Sequence, residues 1–418
     1  MSVFRLRDRL YYGWVLVFTF LAIGTVVYGV RYSFGVFFKP LEGEFELTRA
    51  ATSSIFSVYL ALCAVFAILG GLMIDRYGPR ALTYFIGAFA CLSLILTGQV
   101  SSPWQLYVSY SFLLAVGTGS TYVMIMSTTS RWFVKKRGLA MGIASCGAGL
   151  GTVVMAPLAT QLITNFGWRM SYVVLGIIAG VVIISLAALV KRDPRQVGAL
   201  PDGALSSADR VVANEESRIQ PVGLSFVEAI RTGSFWLFCF TRLAHSFSLH
   251  LILVHLVPHI TDMGFSRMQA ATVFSLMGGI SILGRLAMGR VADSIGKRKA
   301  AIITVLPQVG AFIGLIWARE LGMLYLFAVV YGFAYGGLDP TATALASETF
   351  GLRRIGAILG SIAVSWGLGA AFGPALGGYI YDATGSYSPA FLIAGIAMAL
   401  AIVFLSLIRR QGDSAVAG

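Results

Sequence analysis

The chain has 418 residues, of which 57% are hydrophobic and only 12% are charged. Soluble domains have about 45–50% apolar and about 25% charged residues, so a mean hydropathy of +0.81 excludes a water-facing globule of this size. The net charge of +13 does not indicate a nucleic-acid binder, because the basic residues form short clusters between long apolar runs, as in membrane proteins. The four cysteines lie far apart in apolar runs, which excludes a disulfide scaffold.

Twelve stretches are long and apolar enough to be membrane-spanning helices, which need about 20 mostly apolar residues each. They are residues 12–38, 50–74, 81–99, 104–129, 138–163, 169–190, 234–260, 269–291, 299–317, 323–347, 355–380 and 387–408. The sequence therefore predicts an all-α polytopic membrane protein. It divides into an N-terminal six-helix bundle (1–190), a linker (191–233) and a C-terminal six-helix bundle (234–418). In the linker, Ser225 and Glu228 have the spacing of a capping box, which predicts a short helix lying along the membrane.

The distribution of basic residues predicts the orientation in the membrane. Most of the 31 Lys and Arg residues lie in loops on the N-terminal side, whereas the opposite loops contain only Lys39, Arg49, Arg169, Arg267 and Arg319. Because cytoplasmic loops are enriched in Lys and Arg, both termini are predicted to be cytoplasmic. The short loops and the lack of an Asn-x-Ser/Thr sequon suit a bacterial inner membrane.

The two halves of the chain match at one constant offset of 218 residues. Residues 71–80 match 289–298, Thr48-Arg49 matches Ser266-Arg267, and Gly167 matches Gly385. This repeat predicts two bundles of the same orientation, related by an axis along the membrane normal. In both matched loops an Asp can accept hydrogen bonds from helix N-termini or from Arg, so the loops are predicted to form a cytoplasmic gate. The candidate gating residues are Asp75, Arg76, Arg80, Asp293 and Arg298.

The duplicated loop has the pattern G-x-x-x-D-x-x-G-x-[KR], and with it the chain resembles the major facilitator superfamily over essentially its whole length. Three segments, Tyr12-Gly13-Trp14, Ser33–Lys39 and Arg131–Gly142, are also similar to the monocarboxylate transporters and to the oxalate/formate antiporter group. The resemblance implies the fold of that superfamily. It also implies a rocker-type, alternating-access carrier of small organic anions, often with a proton, and not an enzyme. No cofactor is expected.

Ionisable groups inside spans cost about 2.5–3.5 kcal/mol each even on the lenient insertion scale, and they mark transport paths by default. Arg285 lies in helix 8, and Ser281–Gly289 resembles the segment in which the related families carry their substrate arginine. A guanidinium binds a carboxylate through two parallel hydrogen bonds. Ser281, which stands where animal monocarboxylate carriers have an Asp, is included in the predicted substrate site. The alternative for Arg285 is a structural pair with a neighbouring helix.

Asp339 in helix 10 lies at about the same depth as Arg285, and it is predicted to be the main proton site. Neighbouring glycines and Pro340 are expected to loosen the helix there. All four histidines lie in helix 7, and His250 and His255 are the next candidates for carrying the proton. A structural Asp and hydrogen-bonded core histidines are the alternatives. A metal site is not predicted, because no second acid or cysteine cluster is available.

Four further residues complete the predicted substrate site: Arg31, Tyr122, Tyr331 and Tyr335. Arg31 either draws anions into the outward cavity or belongs to its outer rim. The tyrosines either donate hydroxyls to a substrate or serve in packing. Arg242, two turns into helix 7, is interpreted as a structural residue whose charge reaches the cytoplasmic face.

The sequence thus predicts a secondary carrier that moves a small monocarboxylate, such as lactate or pyruvate, together with a proton. Its expected partners are the organic anion, the proton and the lipid bilayer, with a monomer as the functional unit. An anion exchanger that uses the same Arg without net proton movement is the first alternative. A multidrug exporter is less consistent, because the exporters' G-x-x-x-G-P-x-x-G-G pattern, which they carry in helix 5, occurs here in helix 11. In this chain, Gly369–Gly378 is expected to pack helices closely.

Overall fold

The computed structural model describes residues 11–133, 136–200, 202, 223–351 and 355–408. Every regular element in these ranges is a helix, apart from one isolated bridge between Gly223 and Gly351. Ten helical stretches are long and apolar enough to cross a membrane. Many of their large apolar side chains, such as those of Phe18, Leu72 and Leu326, are exposed on the surface, as is expected where a protein contacts lipid. The prediction of a nearly all-helical, multi-pass membrane protein is confirmed.

The first half of the chain contains eight α-helices within the described residues. They are α1 (Tyr12–Tyr32), α2 (Phe34–Glu44), α3 (Arg49–Thr97), α4 (Pro103–Leu106), α5 (Leu114–Thr118), α6 (Thr121–Trp132), α7 (Arg137–Ser145) and α8 (Gly147–Ala187). A π-helical segment, Tyr107–Leu113, joins α4 to α5.

Two of these helices are longer than one membrane crossing requires, and each contains a kink at a glycine. α3 has 49 residues and α8 has 41, whereas one crossing needs about 20. Gly78 in α3 has a φ of 81° and Gly167 in α8 has a φ of 75°, a backbone conformation that glycine adopts without steric cost. α3 and α8 therefore each consist of two helices that meet at the glycine.

The second half contains seven α-helices within the described residues. They are α9 (Phe226–Ile230), α10 (Gly233–Asp262), α11 (Arg267–Ile295), α12 (Lys297–Trp317), α13 (Leu321–Phe350), α14 (Ile355–Thr384) and α15 (Ser388–Leu407). The last six agree with the predicted spans to within a few residues. α9 begins with the predicted capping box, in which Ser225 and Glu228 exchange hydrogen bonds. Most of the linker before it lies outside the described residues.

The 218-residue offset is visible in the backbone as well as in the sequence. Gly78 and Gly296 have φ values of 81° and 90°, and Gly167 and Gly385 have values of 75° and 69°. Equivalent turns in the two halves thus use the same rare conformation at the same position. The repeat is therefore a repeat of structure, which explains why these glycines recur.

Contacts within the chain define two compact units. Unit 1 consists of Met1–Arg31, Leu62–Met155 and Gln161–Ile219, and unit 2 consists of Tyr32–Ala61, Ala156–Thr160 and Gln220–Gly418. In unit 1, α1 packs on α8 where Gly29 lies against the backbone of Gly151. In unit 2, Gly373 and Gly377 of α14 face Phe247 and His255 of α10. The segment Gly369–Gly378 therefore packs helices closely, as expected.

Three glycines bring α11 and α13 into backbone contact in unit 2. A Cβ atom added to Gly336 would lie 2.7 Å from Cα of Ser281, and one added to Gly284 would lie 3.1 Å from Cα of Phe333. Gly332 lies equally close to the backbone of Met277. The glycines were expected to loosen the helix around Pro340, but α13 is continuous through this region. They serve instead to let the two helices approach closely.

We expect Gly336→Ala to lower the free energy of unfolding by about 1–3 kcal/mol, the usual effect of overpacking. The added methyl group would collide with the backbone of Ser281, which cannot move aside as a flexible side chain could. Thermal unfolding of the purified protein in detergent measures the effect. Gly310→Ala in α12 is the matched control, because its added Cβ would meet no atom within 4 Å. Equal losses in both variants would contradict the packing role.

Candidate functional site

A cluster of polar side chains lies on α10, α11 and α13 in unit 2; we call it the Asp339 cluster. Its members are Arg242, His245, Arg285, Tyr335 and Asp339. Nη1 of Arg242 lies 2.7 Å from Oδ1 of Asp339, and the side chains are 18% and 43% exposed, respectively. The ion pair therefore neutralises both groups; Oδ1 itself is buried, although the Asp339 side chain as a whole is partly exposed. Arg242 was interpreted as a structural residue directed to the cytoplasmic face, but its guanidinium meets Asp339 instead.

Arg285 belongs to the same cluster without being the direct partner of Asp339. It is half-buried and interacts electrostatically with both Asp339 and Tyr335. The side chain of Tyr335 also contacts Ser281, whose hydroxyl donates to the carbonyl of Gly278 at 2.6 Å. The close contact between α11 and α13 thus assembles one cation, one acid and one phenol, and Arg242 of α10 adds the second cation.

His245 is a member of the cluster that sequence reasoning left without a role. It follows Arg242 by three residues on α10, is fully buried, and lies beside the amide of Gln308. The Gln308 side chain is the hydrogen-bonding neighbour of its imidazole ring. The spacing places Arg242 and His245 on one face of the helix, because residues three apart lie on the same side.

The other predicted substrate residues lie outside this cluster. Tyr331 is fully buried, and its ring stacks on that of Phe327 with the centroids 5.2 Å apart. Tyr122 and Arg31 belong to unit 1, where Tyr122 is exposed and Arg31 interacts with Tyr110. The structure thus brings Ser281, Arg285, Tyr335 and Asp339 together and leaves Tyr331 among aromatic side chains.

His250 and His255 are both fully buried in α10. Nδ1 of His250 lies 2.9 Å from the carbonyl oxygen of Ser246. Nε2 of His255 lies 2.8 Å from the carbonyl oxygen of Pro374, and its Nδ1 lies 3.1 Å from the hydroxyl of Tyr387. Because a carbonyl can only accept, Nε2 of His255 carries the proton and Nδ1 accepts from Tyr387. Within the described part of the chain, no group of three His, Cys, Asp or Glu side chains could hold a metal ion.

A second charged group in unit 2, which we call the Arg49 cluster, is centred on the first residue of α3. Its members are Lys39, Glu42, Arg49, Asp262, Tyr381, Asp382 and Tyr387. Arg49 contacts Glu42 at 3.2 Å, Asp262 at 2.5 Å and the hydroxyl of Tyr387 at 2.8 Å. Sequence reasoning counted Arg49 as a loop cation, but its side chain is only 6% exposed.

Two further contacts bind the start of α3 into this cluster. The carboxylate of Asp382, near the end of α14, accepts from the backbone N–H groups of Arg49 and Ala50 at 2.9 and 2.8 Å. Burial raises the pKa of the Tyr387 hydroxyl, although Arg49 opposes this. The hydroxyl therefore stays protonated, so that it accepts from Arg49 and donates to His255.

The predicted gating residues are more exposed than either cluster. Asp75 forms an ion pair with Arg131 at 3.5 Å, but its side chain is 73% exposed. Arg298 donates to the carbonyl of Leu405 at 3.1 Å, and Asp293 is exposed. Exposed ion pairs contribute about 0–1 kcal/mol, so the pair between Asp75 and Arg131 adds little stability.

We expect Arg242→Gln and Asp339→Asn each to destabilise the protein, and the double variant to lose less than the sum of the two. Each single change leaves one charge without its partner. The coupling energy should be about 1–2 kcal/mol, because the partial exposure of Asp339 reduces the larger effect of a fully buried pair. Unfolding of all four proteins in detergent gives this energy. Strictly additive losses would contradict a direct interaction.

Comparison with known proteins agrees with this architecture. The model of the Major Facilitator Superfamily matches residues 20–322 and 309–417. Monocarboxylate transporter 13 of Rattus norvegicus is 28% identical over 92% of this chain and 86% of its own length. The oxalate:formate antiporter of Oxalobacter formigenes is 26% identical over 96% and 92%, respectively.

Solved structures show the same fold at lower identity. A D-xylose-proton symporter superposes with a TM-score of 0.75 at 15% identity and covers 96% of this chain and 99% of its own. A bacterial homologue of the human lysosomal transporter Spinster, in an inward-facing and unoccupied conformation, superposes with a TM-score of 0.70 at 17% identity and covers 95% of each chain. The chain belongs to the Major Facilitator Superfamily, in the branch of the monocarboxylate transporters and the oxalate:formate antiporter.

Proposed function

We propose that this protein is a secondary active transporter that moves a small monocarboxylate, of the size of lactate or pyruvate, together with a proton. Its relatives support a carrier of organic anions. The observation that carries the finer proposal is the Asp339 cluster, in which two arginines and a partly exposed acid share one polar site among apolar helices. A carboxylate and a proton are the two ligands that such a set of groups can exchange.

Arg285 is the proposed principal substrate ligand. It is half-buried, and its neighbours Tyr335 and Ser281 can donate hydroxyls to a carboxylate that it holds. Tyr331, Tyr122 and Arg31 remain candidates for contacting the rest of the substrate. Of these, Tyr331 packs against Tyr335, with the ring centroids 5.7 Å apart.

Asp339 is the proposed proton site, and Arg242 is the group through which proton and anion are coupled. While Asp339 is ionised, it neutralises Arg242 at 2.7 Å. When Asp339 takes up a proton, Arg242 loses the counter-anion that it has at 2.7 Å, and a substrate carboxylate restores the charge balance. Binding of the proton and of the anion therefore favour each other by linkage. His250 and His255 remain the alternative proton carriers.

Transport by alternating access fits the following arrangement. The proposed arrangement has twelve crossings in two six-helix bundles, 1–190 and 234–418, joined by the linker 191–233. The kinks at Gly78 and Gly167, each of which divides one long helix into two, support this number. Both termini face the cytoplasm of a bacterial inner membrane, and the monomer is the functional unit. The loops of Asp75, Arg76, Arg80, Asp293 and Arg298 then form the cytoplasmic gate, and the Arg49 cluster lies at the outer end.

Anion exchange without net proton movement is the second candidate function. The similarity to an oxalate:formate antiporter favours it, and so does Arg242, which supplies a second cation near Arg285. The two functions differ in whether a pH gradient alone drives accumulation.

We expect Arg285→Ala to weaken lactate binding by about 100-fold or more, because truncating one partner of a desolvated charge pair costs about 2–5 kcal/mol. Arg285→Lys should recover only part of the affinity, since an ammonium cannot reproduce the two parallel hydrogen bonds. Calorimetry on the purified protein measures both. Arg290→Ala, an exposed change on the same helix, is the control. Unchanged affinity in Arg285→Ala would remove this residue from the site.

We expect Asp339→Asn, which resembles the protonated acid, to lose accumulation driven by a pH gradient while retaining exchange of internal for external lactate. Uptake into proteoliposomes with and without the gradient separates the two activities. Glu348→Gln removes an acid from the same helix and should keep both. If Asp339→Asn still accumulates lactate when only the pH gradient is imposed, the proton travels elsewhere, and His250 and His255 become the next residues to replace.

A further inference from the structure

The carboxylate of Asp262 bridges two cations of the Arg49 cluster. Oδ1 lies 2.6 Å from Nζ of Lys39, and Oδ2 lies 2.5 Å from Nη1 of Arg49. Each oxygen thus meets a different cation at the distance of a strong, charge-assisted hydrogen bond. Asp262 therefore occupies a position whose chemistry suits the carboxylate of a small anion equally well.

Arg49 is held in place by groups other than Asp262. Glu42 accepts from its Nε at 3.2 Å, the hydroxyl of Tyr387 accepts from Nη1 at 2.8 Å, and the ring of Tyr381 lies 3.6 Å from Cζ. The guanidinium is therefore fixed before any anion arrives, and a site prepared in this way loses little entropy on binding.

A cavity of about 240 Å³ opens beside Lys39 and Asp262. Its lining also includes Thr261 and Arg267. Pockets for drug-sized ligands have volumes of about 300–1,000 Å³, so this cavity suits a smaller molecule. The side chain of Lys39 is 32% exposed, so an anion that enters the cavity meets Lys39 before it meets the buried Arg49.

Arg267 adds a positive charge for which no ion pair with an acid is found among the described residues. The 218-residue offset relates Arg267 to Arg49 and Glu44 to Asp262. Arg49 pairs with Asp262, but Arg267 is exposed and has no carboxylate within ion-pair distance in the described ranges. Of the two equivalent arginines, Arg49 thus forms an ion pair with an internal acid, whereas Arg267 lines the cavity.

We propose that Lys39, Arg49 and Arg267 form a second carboxylate-binding site, separate from the Asp339 cluster and occupied by Asp262 in this conformation. Its ligand is a small monocarboxylate, which competes with Asp262 for Lys39 and Arg49. Displacing Asp262 also removes the ion pairs that join α10 to α2 and α3, so binding of the anion loosens this end of the bundle. The choice of ligand class rests on the proposed function.

The test measures the affinity for acetate of purified full-length protein in detergent, at constant ionic strength. All variants carry Arg285→Ala, so that the proposed central site does not contribute. Adding Asp262→Asn removes the internal competitor but keeps its shape, and we expect it to tighten acetate binding by about tenfold or more. Further addition of Lys39→Gln should abolish this gain.

Glu46→Gln is the matched control, since Glu46 is an exposed acid near the start of α3 and its replacement changes the net charge equally. It should leave the affinity unchanged. Equal gains from Glu46→Gln and Asp262→Asn, or a gain that survives Lys39→Gln, would overturn the proposal. Arg267→Gln gives an independent measurement on an exposed residue whose replacement leaves the core intact. It should weaken acetate binding about threefold or more, and unchanged binding would contradict the site.

The same set of variants distinguishes a failure of the proposed function from a failure of the second site. If the Arg285→Ala protein binds and transports lactate like the unmodified chain, the central site is wrong. The comparison between Asp262→Asn and Glu46→Gln still reports on the second site in that case, because both proteins share the same background.

Discussion

An arginine inside an apolar helix bundle requires a carboxylate, because its guanidinium stays charged and burying it unpaired costs several kcal/mol. Arg242 meets this requirement through Asp339, and Arg49 meets it through Glu42 and Asp262. These pairs link α10 to α13 and to the start of α3. The glycines of α11 and α13 then bring Arg285 close to the first pair. In the proposed carrier, the helices joined by these ion pairs separate only when a substrate anion displaces the internal carboxylate or a proton neutralises it.

Much of the fold follows from the sequence, because the length of an apolar run is set by the thickness of the bilayer. The runs that predict α10 to α15 agree with the structure to within a few residues. The 218-residue repeat identified the turns at Gly78 and Gly296, whose backbones share a left-handed conformation. The expectation for Pro340 was wrong, because local propensity argues for a loosened helix whereas the neighbouring glycines meet α11. At this position, packing of α13 against α11 therefore outweighed the local helix propensity.

The partners of the buried charges were much harder to predict. Asp262 lies 213 residues after Arg49 and Tyr387 lies 338 residues after it, and hydropathy carries no information about which ends of helices meet. Arg49 also stands at the boundary of an apolar run, so its charge counted as a loop charge, although the side chain is buried. Arg285 and Asp339 lie at about the same predicted depth, but depth does not say which face of a helix a residue occupies, and Asp339 pairs with Arg242. The repeat contained a usable signal, since it relates Arg49 to Arg267 and Glu44 to Asp262.

An internal carboxylate on a substrate cation helps a carrier to release what it binds. If the cation had no counter-ion in the apolar site, binding of the anion would relieve the full free-energy cost of an unpaired buried charge. The anion would then dissociate slowly. In the proposed carrier, the anion instead replaces Asp262, or binds Arg242 after Asp339 is protonated, so that one carboxylate is exchanged for another on the same cation. The free-energy difference is then the small difference between two similar ion pairs, and each tenfold change in affinity corresponds to about 1.4 kcal/mol. A proton on Asp339 changes the same free-energy difference, because it removes the negative charge that competes with the substrate for Arg242. In the proposed carrier, substrate and proton therefore act through one kind of step, the replacement of an internal carboxylate.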